Sequence, residues 1–163
     1  MSPARHSSTS TPTPKGADAT LRQRLSSAAA HCAHRGAQLT AQRAEVLELL
    51  LRRGGQAKAY DLQQDMQARH DGRTAPTTVY RALEFLQAQH LVHKVDATNT
   101  FVACNHADHG YPAVMLICLQ CERIDEIHDD KAAASLLAQA RQHGFVPQAV
   151  EVKSLCSACQ PAR

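Results

Sequence analysis

The sequence predicts an α+β chain: an N-terminal winged helix-turn-helix, then a small α/β module stapled by a four-cysteine zinc site. Three observations carry this expectation. Residues 20–104 run as successive amphipathic helix patterns closed by one β-rich hairpin, which is the winged-helix order. Charge is divided unevenly: residues 1–104 hold 13 Lys/Arg against 8 Asp/Glu, and residues 105–163 hold 5 against 7. Cys118-x2-Cys121 and, 34 residues later, Cys156-x2-Cys159 form two matched CxxC pairs.

A chain of 163 residues is long enough for one ordinary domain or two small ones. Aromatic residues are 4% of it and Trp is absent, so neither half is equipped for a large core of its own. Modules below about 70–80 residues commonly need a metal or a second subunit. The basic surplus of the first half suits a polyanionic partner. No apolar run approaches the ~20 residues of a membrane span, and the N-terminus lacks an apolar signal core. The expectation is a cytoplasmic protein with no membrane partner, in which reduced CxxC pairs hold metal rather than form disulfides.

Residues 1–18, rich in Ser, Thr and Pro without apolar periodicity, read as a disordered tail. From Thr20 to His34 the pattern is helical, with Leu21, Leu25, Ala28, Ala29 and Cys32 on one stripe and Gly36 stopping it. A second helix starts after the N-cap Thr40 and runs to Gly54-Gly55, burying Val46, Leu47, Leu50 and Leu51. A third spans Tyr60 to His70, and Asp71-Gly72 turns the chain. Pro76 opens a fourth, in which Val79, Leu83 and Leu86 face inward while Thr78, Tyr80, Arg81 and Glu84 face out. Leu91–Val95 and Thr100–Cys104 are strands around the turn Asp96-Ala97-Thr98-Asn99. The winged-helix domain then covers residues 19–104, with a hinge at its end, and a second domain covers 105–163. Within the latter, Ala113–Cys118, Arg123–His128 and Phe145–Leu155 read as strands, and Asp129–His143 as a helix stopped by Gly144.

Cys118, Cys121, Cys156 and Cys159 supply two pairs of thiolates, which together complete a tetrahedral S4 sphere around zinc. A closed sphere makes that zinc structural. A second site can draw on His93, Cys104, His106, His109, Glu126 and His128, which cluster around the hinge. Thiolate softness in such a mixed S/N/O set favours Zn2+ over Mg2+ or Ca2+. Ligands on both sides of a hinge would make metal binding a closing switch.

Leu39-Thr-x-x-Arg43, Ala59-Tyr60-Asp61-Leu62, Thr78-Val-Tyr-Arg-Ala-Leu83, His93-Lys-Val95, Asn99, Phe101-Val-x-Cys104 and the paired CxxC are in order and spacing similar to a known family. The chain resembles the ferric uptake regulators and, within them, the zinc uptake regulators, over roughly residues 20–160. The resemblance implies a homodimer with a winged helix for double-stranded DNA and a C-terminal dimerisation domain. It implies that Thr77, Thr78, Tyr80 and Arg81 open the recognition helix and that Tyr60 is a further DNA contact. These side chains suit the task, because Arg pairs bidentately with guanine while Tyr and Thr bond phosphate or pack on thymine methyls.

The resemblance also implies two zinc ions per subunit, one structural and one regulatory, the latter on His93, Cys104, a loop His and Glu126. The loop position usual for that His, seven residues before Cys118, holds Tyr111 here. The nearest candidates are His109, which is preferred, and His106. Iron-sensing relatives carry a His-His-Asp-His run ahead of the CxxC, which His106-Ala-Asp108-His109 only partly echoes. The expected function is a zinc-responsive repressor of zinc-uptake genes that closes on an AT-rich inverted repeat. An iron-responsive regulator of the same family is the alternative. An enzyme is not expected, since the chain has neither HExxH nor an HxE that pairs with a CxxC.

Overall fold

A computed structural model describes residues 15–104, 113–127 and 130–161; the side chains of residues 15–17, 130 and 132 fall outside the description. Helices α1 (Lys15–His34), α2 (Ala41–Arg52), α3 (Ala59–Arg69) and α4 (Pro76–Ala88) build the first half. Strand β1 (Gln56–Ala57) lies between α2 and α3, and the hairpin β2 (Val92–Val95) and β3 (Thr100–Ala103) follows α4. The second half contains β4 (Val114–Cys118), β5 (Ile124–Ile127), α5 (Asp130–Gln142) and β6 (Val150–Ser154). The strands form two three-stranded sheets, ordered β1-β3-β2 and β5-β4-β6. The first is antiparallel throughout. In the second, β4 is antiparallel to β5 and parallel to β6, which is reached through α5.

Local chemistry accounts for the boundaries. Thr40 is extended at the N-cap of α2, although its side chain makes no capping bond. At the other end, Gly54 (φ +78°) and Gly55 (φ +86°) reverse the chain into β1, a conformation costly for any residue with a Cβ. The Gly55 carbonyl then accepts a 2.7 Å hydrogen bond from Ala103 N–H, tying α2 to the hairpin. The Asp61 carboxylate caps the start of α3 by accepting from Lys58 N–H at 3.3 Å. Pro76 occupies the first turn of α4, where its missing N–H is no loss.

One core unites Ala28, Cys32, Val46, Leu50, Leu62, Met66, Val79, Leu83, Leu86 and the inward side of the hairpin, Val92, Phe101 and Ala103. Truncating a side chain such as Leu83 to Ala should cost about 2–5 kcal/mol. A second, smaller core joins Val95 and Val102 of the hairpin to Ala113, Met115, Ile117 and Ile124. Strand alternation explains the division: one side of the hairpin faces the helices and the other faces the second sheet.

Four sequence expectations are corrected. Helix α1 begins at Lys15, so residues 15–18 belong to it rather than to the tail. Ala29 is exposed, one position off the stripe that buries Ala28 and Cys32. Leu49, not Leu51, completes the buried face of α2, because α2 is covered on one side by α4 and on another by β1 and β3. The last strand starts at Val150 rather than Phe145; Phe145 and Val146 are 70% and 73% exposed in the connection from α5.

Candidate metal centres and DNA face

The first CxxC closes strand β4. Cys118 N–H donates to the Arg123 carbonyl at 2.9 Å, Glu122 N–H to the Cys118 carbonyl at 3.0 Å, and Glu122 adopts φ +57° to turn the chain into β5. The second CxxC follows β6, whose parallel register places Ser154 beside Cys118. The two knuckles therefore meet because β4 and β6 are neighbours. All four sulfurs lie within 4.8 Å of one another, and Cys121 Sγ stands 3.7 Å from Cys156 Sγ. Tetrahedral Zn–S bonds of about 2.3 Å put sulfurs about 3.8 Å apart, so the residues present fit a zinc ion. Cys156 N–H also donates to Cys118 Sγ at 3.4 Å.

Packed thiols this close disagree about their protons. Backbone N–H groups of Cys156, Cys121 and Gln120 pull Cys118 down to about 6. The Cys156 and Cys121 thiols, with burial, push Cys159 up to about 12. One cation removes that conflict, because a bound metal favours the thiolate at every position.

The second cluster crosses between the sheets. His93 on β2 pairs with Val102 on β3, and Cys104 follows two residues later on the same face. Cys104 N–H donates to the Leu91 carbonyl at 2.9 Å, and Arg24 of α1 donates to the Cys104 carbonyl at 3.2 Å. Glu126 arrives from β5, in register with Met115 on β4. Its Oε1 lies 3.7 Å from His93 Nε2 and 3.9 Å from Cys104 Sγ. Zinc bonds of about 2.0–2.3 Å to N, O and S put such donors roughly 3.3–3.6 Å apart, so a contraction of a few tenths completes three corners of a tetrahedron. The site is enclosed, with the His93 and Glu126 side chains 16% and 5% exposed. His106, His109 and His128 lie outside the described residues.

The DNA candidates lie on helices α3 and α4. Tyr60, in the first turn of α3, is 64% exposed; Tyr80 on α4 is 49% exposed; Thr77 and Arg81 are exposed and Thr78 is half-buried. Hydrophobic packing of Val79, Leu83 and Leu86 leaves Thr77, Tyr80 and Arg81 on the solvent side of α4. Gln42, Arg69, His70, Arg73, Thr74 and Thr78 line a cleft beside the N-terminus of α4. Arg52, Arg53 and Arg69 are held by Glu48, Asp65 and Glu45, whereas Arg81 makes no ion pair among the described residues. Sequence reasoning missed two contacts. Arg43 stacks 3.6 Å over the Phe85 ring, bracing α4 from α2, and Arg24 reaches Cys104 across 80 residues. Neither has a local signal, because both partners are distant in sequence.

The sequence model of the ferric uptake regulator family matches residues 34–154. The chain belongs to that family. Its members are transcription regulators. The chain is 36% identical over 143 residues to the zinc uptake regulation protein of Escherichia coli (strain K12), which covers 86% of this chain and 83% of that protein. Among solved structures it is similar to a zinc uptake regulator complexed with zinc and DNA: 36% identity, 86% of this chain, 95% of that chain, TM-score 0.74. Holo XcZur gives 38% identity, 84% and 96% coverage, and a TM-score of 0.70. No helix among the described residues is long and apolar enough to cross a membrane.

Proposed function

We propose that this protein is a zinc-responsive transcriptional repressor that acts as a homodimer on double-stranded DNA in the cytoplasm. The observation that carries the reading is the His93, Cys104 and Glu126 cluster, largely shielded from solvent and assembled from a DNA-facing module and a second sheet, beside the small apolar core the two share. Residues 19–104 are the DNA-binding domain and residues 105–163 the dimerisation domain. Cys118, Cys121, Cys156 and Cys159 hold a structural zinc; His93, Cys104 and Glu126, with His109 as fourth ligand, hold a regulatory one. His106 is the alternative to His109. Similarity to zinc uptake regulators supports zinc over iron, and so does a thiolate in the regulatory set. Neither site is proposed as catalytic, since the four-thiolate sphere leaves no open position.

When bound at the regulatory site, zinc supplies the attraction that joins hairpin to sheet. His93 and Cys104 fix the hairpin end of that joint and Glu126 the sheet end. The helix α4, braced on the same hairpin, then keeps one orientation relative to the dimer. Thr77, Thr78, Tyr80 and Arg81 enter the major groove, and Tyr60 approaches the backbone. Two such helices in a dimer read half-sites about one helical turn apart. The exposed Leu136, Phe145, Val146, Val152 and Leu155 of the second module support dimerisation, because a partner would cover them.

The test is fluorescence anisotropy on an AT-rich palindromic duplex, titrating protein that holds one zinc per chain with buffered Zn2+, Fe2+ or Mn2+. Binding that rises steeply with zinc and is abolished in Cys104→Ser is expected. Binding driven equally by iron and indifferent to Cys104 would move the protein to the iron-responsive alternative. An absence of DNA binding under every metal would refute the reading.

A further inference from the structure

The row of residues that crosses the second sheet at Met115 has a carboxylate at each end. Glu126 on β5 and Glu151 on β6 are both in register with Met115 on β4. Register partners project to the same face of a sheet, and Met115, which is fully buried, packs there with Val95 of the hairpin. Glu126 is the end directed at His93 and Cys104. Glu151 is the other end, and its carboxylate accepts two backbone hydrogen bonds from the hairpin turn, Asp96 N–H at 2.5 Å and Ala97 N–H at 3.0 Å.

We propose that Glu151 is a latch that holds the tip of the hairpin against the second sheet and thereby positions His93 for the regulatory metal. Asp96 follows β2 directly, three residues after His93. A strand this short is rigid, so fixing its tip fixes where its imidazole stands relative to Glu126. Successive backbone N–H groups in a turn form a concavity suited to an anion, and a carboxylate that accepts both is a charge-assisted, geometrically specific contact. Glu151 and Glu126 therefore close one interface from two sides. The latch favours the closed arrangement before metal arrives, which raises apparent metal affinity by the fraction of molecules already closed. By linkage, metal at Glu126 strengthens the Glu151 contact in return.

This inference rests on the regulatory-site reading, and its test separates the two. Glu151→Ala and Glu151→Gln are compared with the wild-type chain, each holding its first zinc. Amide exchange at Asp96 and Ala97 is followed by NMR, and second-site zinc affinity by chelator competition. In Glu151→Ala both amides should exchange at least about tenfold faster, with second-site zinc about 5- to 20-fold weaker. Glu151→Gln, which keeps one acceptor oxygen, should fall between the two. Zinc content of the four-cysteine site and the far-ultraviolet circular dichroism should not change, which separates a latch from a folding defect. Unchanged exchange in Glu151→Ala would overturn the proposal, as would faster exchange with unchanged zinc affinity. Should the wild-type chain take up no second zinc, the regulatory reading fails, and the proposal that Glu151 positions a ligand fails with it.

Discussion

Cys121 stands exposed at the rim of the second sheet, whereas Cys104 is buried between two sheets. The four-cysteine cluster is assembled by two tight knuckles on adjacent strands of one module. The His93, Cys104 and Glu126 cluster takes its members from a hairpin and from a different sheet. That difference separates a staple from a switch. Metal in a site whose ligands share one module can stabilise only that module. Metal in a site whose ligands span two modules changes how they sit together, and so can be read at a distance.

The comparison breaks most visibly at the staple. Replacing Cys156 by Ser, or stripping the metal with a strong chelator, should unfold the second module, since apparent binding energies of structural zinc reach about 10–16 kcal/mol. Circular dichroism should show loss of the β5-β4-β6 sheet, and sedimentation should show loss of the dimer. A second module that stayed folded without metal would make the four cysteines incidental.

Cys104→Ser should do the opposite. The fold and the first zinc should survive, while zinc-dependent DNA affinity should drop about 100-fold or more. Anisotropy with buffered zinc measures this, and an unaltered zinc dependence would remove Cys104 from the regulatory set. Arg81→Ala lies one step further from both clusters. It should weaken DNA binding by about 1–3 kcal/mol, roughly 5- to 150-fold, and leave zinc uptake unchanged. Equal losses of DNA and zinc affinity would mean that Arg81 acts through folding.

How much of this was legible in the sequence follows the same divide. The CxxC pairs declare themselves through local spacing, and helices α2 and α4 through apolar periodicity and the punctuation of Gly54-Gly55 and Pro76. The wing was legible because Asp96-Ala97-Thr98-Asn99 separates two β-rich runs, and Asn99 adopts the left-handed conformation (φ +51°) such a turn uses. Strand β1 was not legible: two residues carry no alternation, and it exists because the glycine turn delivers it to β3. The meeting of Glu126 with His93 and Cys104 is a product of sheet-on-sheet packing. Strand alternation places His93 and Cys104 on the outer face of the hairpin; Glu126 was one of six candidate ligands by residue type, and only the family resemblance singled it out. Glu151 had no signal at all, since its partners are backbone N–H groups that every residue but proline carries.

The smallest expected effect lies far from both clusters, on the α2–α3 surface. Hydrogen bonding from Arg52, and after it from Arg69, outweighs burial and holds the Glu48 carboxyl below its ordinary range. A depressed carboxyl contributes stability that is complete above the unfolded value, about 4.3, and is lost as pH falls through the lower folded value. Glu48→Gln should therefore cost about 0.5–1 kcal/mol in urea unfolding near neutral pH. The difference from wild type should vanish in acid. A cost that persisted there would assign Glu48 a packing role.

Zinc stoichiometry in Glu126→Ala, measured by equilibrium dialysis, tests the central claim most directly. The wild-type chain should take up two zinc ions, one for each ligand cluster. Glu126→Ala should hold one zinc tightly, with the second module folded and the second uptake weakened beyond the working zinc range. Loss of both ions, or retention of both at wild-type affinity, would contradict the separation of staple from switch.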